Sequence, residues 1–280
     1  MDVLTDPVAM RAWTRAAHAD GATVGVVPTM GALHDGHLTL VAQAAERCDR
    51  VVVTIFVNPL QFNQAADFDK YPRPIDADLD RCHAAGVAAV YAPTAATMYP
   101  RGFDTHVEPG ALAARLEGPN RPGHFRGVAT VVTKLLAAVA PDVACFGEKD
   151  YQQLAIVRRL VADLDLGVDI VGVPTVREPD GLAMSSRNVR LSPSDREAAA
   201  VIPEALAAAA AGHARGEHNA DVLADTATAI LRGEPRARIE YVEIAHPATL
   251  EPVADTAGGA VVLTAVWFGD VRLIDNRVLA

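Results

Sequence analysis

Short runs of Val and Ile, almost unbroken by polar residues, recur through the first two thirds of this chain and constrain its fold more than any other feature. Thr23–Val27, Val51–Val57, Val87–Tyr91, Val143–Phe146 and Val168–Val173 have strand length and turn residues nearby. Between them, Leu38–Arg47, Asp76–Ala85, Val128–Val139 and Gln152–Asp163 are long enough for helices. A continuous apolar strand offers no face to water, so both of its faces must be covered. Alternation with helices therefore predicts an α/β domain built on a parallel sheet. Ligands of such sheets lie outside the carboxyl ends of the strands. There the unusual residues gather, at Thr29 to His37, Asn58 to Phe62 and Gly147 to Gln153.

After Val176 the pattern changes. Ser192 before Pro193 is a helix start, a side-chain cap followed by a residue preset for the first turn. An Ala-rich helix is expected from there to about Ala214, and a second over Ala220–Leu231. Ile239–Ile244 and Val261–Phe268 alternate as antiparallel strands, with Gly269-Asp270 turning into Val271–Ile274. The expected organisation is a larger α/β domain over 1–176 and a smaller α+β domain over 177–280.

Half of the 280 residues are apolar and the formal charge is −10. That charge argues against a general nucleic-acid binder, which needs a basic surface, but allows a local basic pocket for ATP. Cys48, Cys82 and Cys145 are odd in number and far apart, which points to buried reduced thiols rather than a disulfide framework or a structural zinc site. Met1 to Ala12 lacks the pattern of a signal peptide, and no apolar run has membrane-spanning length. A soluble cytoplasmic protein is expected.

Chemistry concentrates in Val26-Val27-Pro28-Thr29-Met30-Gly31-Ala32-Leu33-His34-Asp35-Gly36-His37. A strand enters a glycine turn, and His34 and His37 follow three residues apart, on one face of a starting helix. Glycines allow close backbone approach, and helix-start N–H groups favour an anion. A histidine there tends to stay neutral and donate a hydrogen bond, which suits charge developing on a phosphate. Zinc is the rival reading, with no third ligand at suitable spacing. In Gly147-Glu148-Lys149-Asp150-Tyr151-Gln152-Gln153, Lys149 can neutralise phosphate and Gln153 can bond a polar substrate; a plain charged helix start is the bland alternative. Met184-Ser185-Ser186-Arg187-Asn188 offers hydroxyls and a guanidinium fork for a triphosphate. Asn58 and Gln61 bring amides for neutral polar groups. Asp78 and Asp76 are candidates for Mg²⁺, and His124 and Arg126 for weaker ligand contacts.

This set resembles the pantoate–β-alanine ligase family of coenzyme A biosynthesis. The segments that carry the resemblance are P-T-M-G-A-L-H-D-G-H (28–37), F-V-N-P-L-Q-F (56–62), Y-P-R (71–73), G-H-F-R-G-V (123–128), G-E-K-D-Y-Q-Q-L (147–154), V-P-T-V-R-E-x-D-G-L-A (173–183) and M-S-S-R-N (184–188), with L-I-D-N (273–276) near the end. H-x-G-H alone marks a wider nucleotidyltransferase superfamily, whereas the ordered set is specific. The resemblance implies a Rossmann-like first domain, a smaller C-terminal lid domain and a homodimer. It also implies attack of pantoate on the α-phosphate of ATP, with Mg²⁺, to give pantoyl adenylate and pyrophosphate; β-alanine then yields pantothenate and AMP. By position, Met30, Gly31, Ala32, Leu33, His34, Asp35, Gly36 and His37 would line the phosphates, with His34, His37 and Lys149 catalytic. Gly147, Glu148, Lys149, Asp150, Val176, Met184, Ser185, Ser186 and Arg187 would bind ATP. Gln61, Gln153 and Asn58 would hold substrate, and Asp78 would bind Mg²⁺.

Another adenylyl- or cytidylyl-transferase of that superfamily is the first alternative, disfavoured by Gln61 and Gln153. An aminoacyl-tRNA synthetase fits the acidic charge poorly. A non-catalytic nucleotide sensor would be expected to lose His37 or Lys149, and both are present.

Overall fold

The computed structural model describes residues 1–63 and 65–280, without the side chains of 65–67. The chain divides into two compact units, one of residues 1–148 and 153–174, the other of residues 149–152 and 175–280.

The first unit is a six-stranded sheet in which every pairing is parallel. Its strands are β1 (Asp2–Leu4), β2 (Val24–Thr29), β3 (Arg50–Ile55), β4 (Ala89–Tyr91), β5 (Val143–Gly147) and β6 (Asp169–Val173), in the spatial order β1-β4-β3-β2-β5-β6. The helices are α1 (Pro7–Ala19), α2 (Asp35–Ala45), α3 (Ala65–Lys70), α4 (Ile75–Ala84), α5 (Ala95–Met98), α6 (Glu117–Asn120), α7 (His124–Val139) and α8 (Tyr151–Asp163). Neighbouring residues of each strand enter opposite cores, as the pleat requires. Val26, Val52, Tyr91 and Phe146 join one cluster with Met10 of α1 and Leu135 of α7. Val27, Val53, Val90 and Cys145 join another with Val41 of α2 and Cys82 of α4. Two covered faces explain why the strands show no polar alternation.

Residues 2–19 add a strand and a helix to the elements expected from the sequence. Asp6 caps α1, accepting from the Val8 and Ala9 amides at 2.9 Å each, with Pro7 in the first turn. β2 pairs with β3 over six residues but with β5 over two, Gly25–Val143 and Val26–Ala144. Chain order reverses direction across the sheet between β2 and β5, and their carboxyl ends part there. That is the position where open α/β sheets take ligands.

In the second unit, β7 (Ala237–Ala245), β8 (Ala260–Phe268) and β9 (Val271–Leu279) form an antiparallel sheet in that order. Its core joins Val262, Val266, Phe268 and Leu279 to Ile202, Leu206, Leu223 and Leu231. The helices are α9 (Pro193–Ala198), α10 (Val201–Ala214) and α11 (Ala220–Arg232). Ser192 caps α9, its hydroxyl accepting from the Asp195 amide at 3.1 Å. The single helix expected to Ala214 is broken at 199–200. Pro203 has no N–H for the Ala199 carbonyl and would collide with it, so the chain restarts with Pro203 in the first turn of α10. Among the described residues no helix is long and apolar enough to cross a membrane. Cys48, Cys82 and Cys145 are buried and free, and burial raises the Cys82 and Cys145 thiols to about 11.

Candidate functional site

The turn from β2 into α2 holds its shape through its own amides. Gly31 (φ +81°) and Ala32 (φ +51°) are both left-handed, a conformation costing a non-glycine residue about 1–2 kcal/mol. The Gly31 amide donates to Thr29 Oγ1 at 3.1 Å, and that hydroxyl donates to the Thr54 carbonyl at 2.7 Å. The Ala32 and Leu33 amides donate to the two carboxylate oxygens of Asp78, at 2.8 and 2.7 Å. Hydrogen bonds to a charged acceptor contribute about 1.5–3 kcal/mol each, enough to offset the strain at Ala32. The His34 amide donates to His37 Nδ1 at 3.2 Å, and the His37 amide returns a bond to the His34 carbonyl at 2.8 Å.

Two consequences follow for chemistry. A ring nitrogen that accepts carries no proton, so neutral His37 bears its N–H on Nε2. The His34 and His37 ring centroids are 4.1 Å apart. The amides of 31–34, expected from the sequence to meet phosphate, are instead spent on Thr29, Asp78 and His37.

The end of β3 supplies the amide pair. Asn58 is 1% exposed. Its Nδ2 donates to Gln61 Oε1 at 2.9 Å and to the Gly127 carbonyl at 3.1 Å, while Oδ1 accepts from Tyr99 Oη at 2.7 Å and the Leu60 amide at 3.3 Å. Asn58 therefore orients Gln61, and its amide does not reach outward as a substrate contact would. Gln61 Nε2 donates to Met30 Sδ at 3.3 Å, which brings the β3 amide to the β2–α2 turn. His124, also buried, bonds the Gln61 carbonyl through Nδ1 at 2.8 Å. Tyr99 lies outside every segment that carries the resemblance, and Gly127 stands within one of them without an assigned role. A Cβ at Gly127 would lie 2.3 Å from the Leu60 carbonyl oxygen and 2.8 Å from Gln61 N, so this glycine is what lets α7 press against the turn. The second Gly of G-H-F-R-G-V was the available signal. Arg126 is largely exposed and pairs with Glu108 at 3.3 Å.

Asp78 is 2% exposed with both oxygens engaged by amides, and Asp76 is exposed. Among the described residues no three His, Cys, Asp or Glu side chains group to hold a metal. Mg²⁺ demands an octahedral shell and keeps several waters, for which Asp78 has no room. The residues present do not fit a protein-held Mg²⁺. Gly147 ends β5, Glu148 opens the turn over Glu148–Asp150, and Gln153 is half-buried in the first turn of α8.

In the second unit, residues 176–188 fold into a hairpin and a turn. The Met184 amide donates to the Val176 carbonyl at 2.9 Å, Arg177 bridges Ala183, and the Gly181 amide closes the turn on the Glu178 carbonyl at 2.8 Å. Ser185 Oγ accepts from the Arg187 amide at 3.2 Å. Val176 and Met184 to Arg187 thus come together, with Ser186 among them. Arg177 holds the hairpin from β9, forking onto Asp275 at 2.7 and 3.1 Å. Lys149 reaches Asp150 Oδ1 at 3.9 Å, and its carbonyl accepts from Asn276 Nδ2 at 3.0 Å. The L-I-D-N segment therefore carries two anchors.

A family model described as pantoate-beta-alanine ligase matches residues 2–278. The chain is 55% identical over 276 residues to a pantothenate synthetase of Salinispora arenicola, covering 98% of this chain and 97% of that protein. It is 52% identical over 270 residues to one of Heliobacterium modesticaldum, covering 96% of each. Its fold matches the crystal structure of pantothenate synthetase from Thermus thermophilus with a TM-score of 0.93, 46% identity and 99% of both chains covered. It also matches the pantoate-beta-alanine ligase of Francisella tularensis, solved with beta-gamma ATP and beta-alanine, with a TM-score of 0.81, 34% identity and 99% and 97% covered.

Proposed function

The chain belongs to the pantoate–β-alanine ligase family, and we propose that it condenses (R)-pantoate with β-alanine, using ATP, to form pantothenate. The match of residues 2–278 to one family model carries this reading, and the β2–α2 turn supplies the chemistry. A carboxylate is a poor acyl donor until one oxygen becomes part of a good leaving group. In the first step a pantoate carboxylate oxygen bonds to the α-phosphorus and the bond to the bridging oxygen breaks, releasing pyrophosphate and leaving pantoyl adenylate. In the second, the β-alanine amine adds to the acyl carbon, loses a proton, and AMP departs.

His37 donates through Nε2–H to the phosphoryl oxygens on which charge grows, and His34 works beside it. Such a preorganised donor contributes about 10²–10³ in rate. Lys149 neutralises phosphate, with Gly147, Glu148 and Asp150 beside it in sequence. Met184, Ser185, Ser186 and Arg187 bind the triphosphate, and Val176 meets adenine. Gln61 and Gln153 hold pantoate. Mg²⁺ enters as part of the ATP substrate, on its phosphates, since Asp78 is committed elsewhere. We place the enzyme in the cytoplasm, a reading supported by three buried free thiols. The family resemblance further implies a homodimer, which gel filtration would test.

The expected outcome in solution is pantoate-dependent exchange of labelled pyrophosphate into ATP, with Mg²⁺ present and β-alanine absent. Folded protein that gives no exchange would sink the ligase mechanism. Exchange supported by a different carboxylate or phosphate acceptor, and not by pantoate, would move the chain to a sister transferase.

A further inference from the structure

We propose that Asp78 is a positioning residue that fixes the β2–α2 turn, and through it the two histidines, and that it is not a metal ligand. The inference rests on the ligase reading for its rate measurements but not for its structural ones.

Two successive left-handed residues point their following amides into one small concavity, the backbone arrangement that elsewhere binds anions. At Gly31 and Ala32 that concavity is already filled. Asp78 inserts a carboxylate from the first turn of α4, 46 and 45 residues away in sequence from the amides it meets. The charge is buried, yet each oxygen receives an amide, and the carboxylate sits at the positive end of its own helix. Gly31 is shaped to it as well. A Cβ there would lie 2.9 Å from Asp78 Oδ2 and 3.1 Å from Ile55 Cγ2. The protein thus supplies its own anion to the Ala32 and Leu33 amides, which are not open to substrate phosphate.

The connection to catalysis is short. Asp78 Oδ1 holds the Leu33 amide, the next residue is His34, and the His34 amide sets the tautomer of His37. Asp78 touches no reacting atom in this scheme. Loss of one oxygen would loosen the turn and let His37 Nδ1 lose its donor. A displacement of about 1 Å in a catalytic group can cost about 10²-fold in rate.

Asp78→Asn tests this, because it keeps the shape and sets an NH₂ group against a backbone N–H. The expected result is a fall of about 10- to 100-fold in kcat for pyrophosphate exchange, with the KM for pantoate little changed. The Mg²⁺ concentration giving half-maximal exchange should stay at the wild-type value. In nitrogen-15 spectra of the nucleotide-free protein, the His37 ring should show an unprotonated Nδ1 in the wild type and a shifted signal in the variant. Mn²⁺ titrations of the nucleotide-free proteins, followed by water relaxation, should not differ. Asp78→Glu, which keeps the charge but moves it by a methylene, should stay impaired. If Asp78→Asn fails to fold, Gly31→Ala displaces the same carboxylate from the other side and should give the same loss with the same Mg²⁺ dependence. A raised Mg²⁺ requirement, with activity restored by excess Mg²⁺ or by Asp78→Glu, overturns the proposal in favour of a metal ligand. Unchanged His37 signals in Asp78→Asn and Gly31→Ala overturn it whether or not the wild type proves to be a ligase.

Discussion

The β2–α2 turn of the first unit and the 176–188 hairpin of the second are both irregular segments bearing candidate ATP contacts, yet they are held by different physics. The turn is fastened by amides that donate to neighbouring side chains, with a single buried carboxylate at the centre. The hairpin and the residues around it are fastened by arginines: Arg177 forks onto Asp275, and Arg196 bonds both Glu178 and Asp180. Short bonds to main-chain amides leave little room for partial rearrangement, and they sit out of reach of salt. The Arg196 side chain is 28% exposed and its partners 27% and 38%, so water and ions compete for them. A rigid first segment suits a group that must meet a developing charge, as the first turn would in the proposed reaction. A segment held by screened pairs suits one that must loosen and re-form.

The sharpest way to break this contrast is at Arg177. Asp275 is 1% exposed on its side chain, and Arg177→Met strands it without its partner. Breaking a buried pair in this way costs about 3–5 kcal/mol, so urea unfolding followed through Trp267 of β8 should shift strongly to lower denaturant, while the His37 ring signals in the folded protein should stay in place. A shift in both would mean that the two segments are not independently anchored. A comparable effect, read in rate instead of stability, is expected from His34→Ala, which should slow pyrophosphate exchange about 10²–10³-fold with the unfolding midpoint nearly intact. A near-normal rate would remove His34 from the mechanism. The smallest effect concerns acid. The hydrogen bond from Arg196 holds the Asp180 carboxyl below its ordinary value, and that from Arg272 does the same for Glu240. Groups whose folded pKa is depressed stabilise the fold above their unfolded values, near 4, and that contribution fades as pH falls through the lower folded values. Cleavage of the 176–188 hairpin by an acid-active protease should therefore rise between about pH 4 and pH 2, and rise further with added salt. Cleavage that is flat in both would argue that the arginine pairs contribute nothing to holding it.

What could be read from sequence divides by distance along the chain. The parallel sheet was legible because each strand carries its own evidence, with Val26 and Val27 or Val52 and Val53 filling opposite cores. Ser192-Pro193 marks the start of its helix, and Asp6-Pro7 carries the same local signal at the start of α1. The break before α10 was equally local, since Pro203 cannot donate to Ala199. Long-range partnerships left no such trace. Nothing in a glycine turn announces that a carboxylate 46 residues later will fill it, so Asp78 read as a metal ligand and the turn's amides as a phosphate cradle. Asn58 looked like a substrate amide for the same reason, because two of its partners, Tyr99 and Gly127, lie 41 and 69 residues away. Polar residues advertise chemistry in sequence, and only the fold decides whether that chemistry faces inward.

The parting of β2 from β5 after two paired residues has a consequence for how such a protein can change. An opening produced by diverging backbones survives almost any replacement of the side chains around it. If Gln61 and Gln153 hold the acid as proposed, selection acting on them could therefore exchange one carboxylic acid for another without rebuilding the opening. Selection acting on Gly31 or Asp78 has no such freedom, because Gly31 is part of the backbone of the turn itself and Asp78 holds that backbone in place.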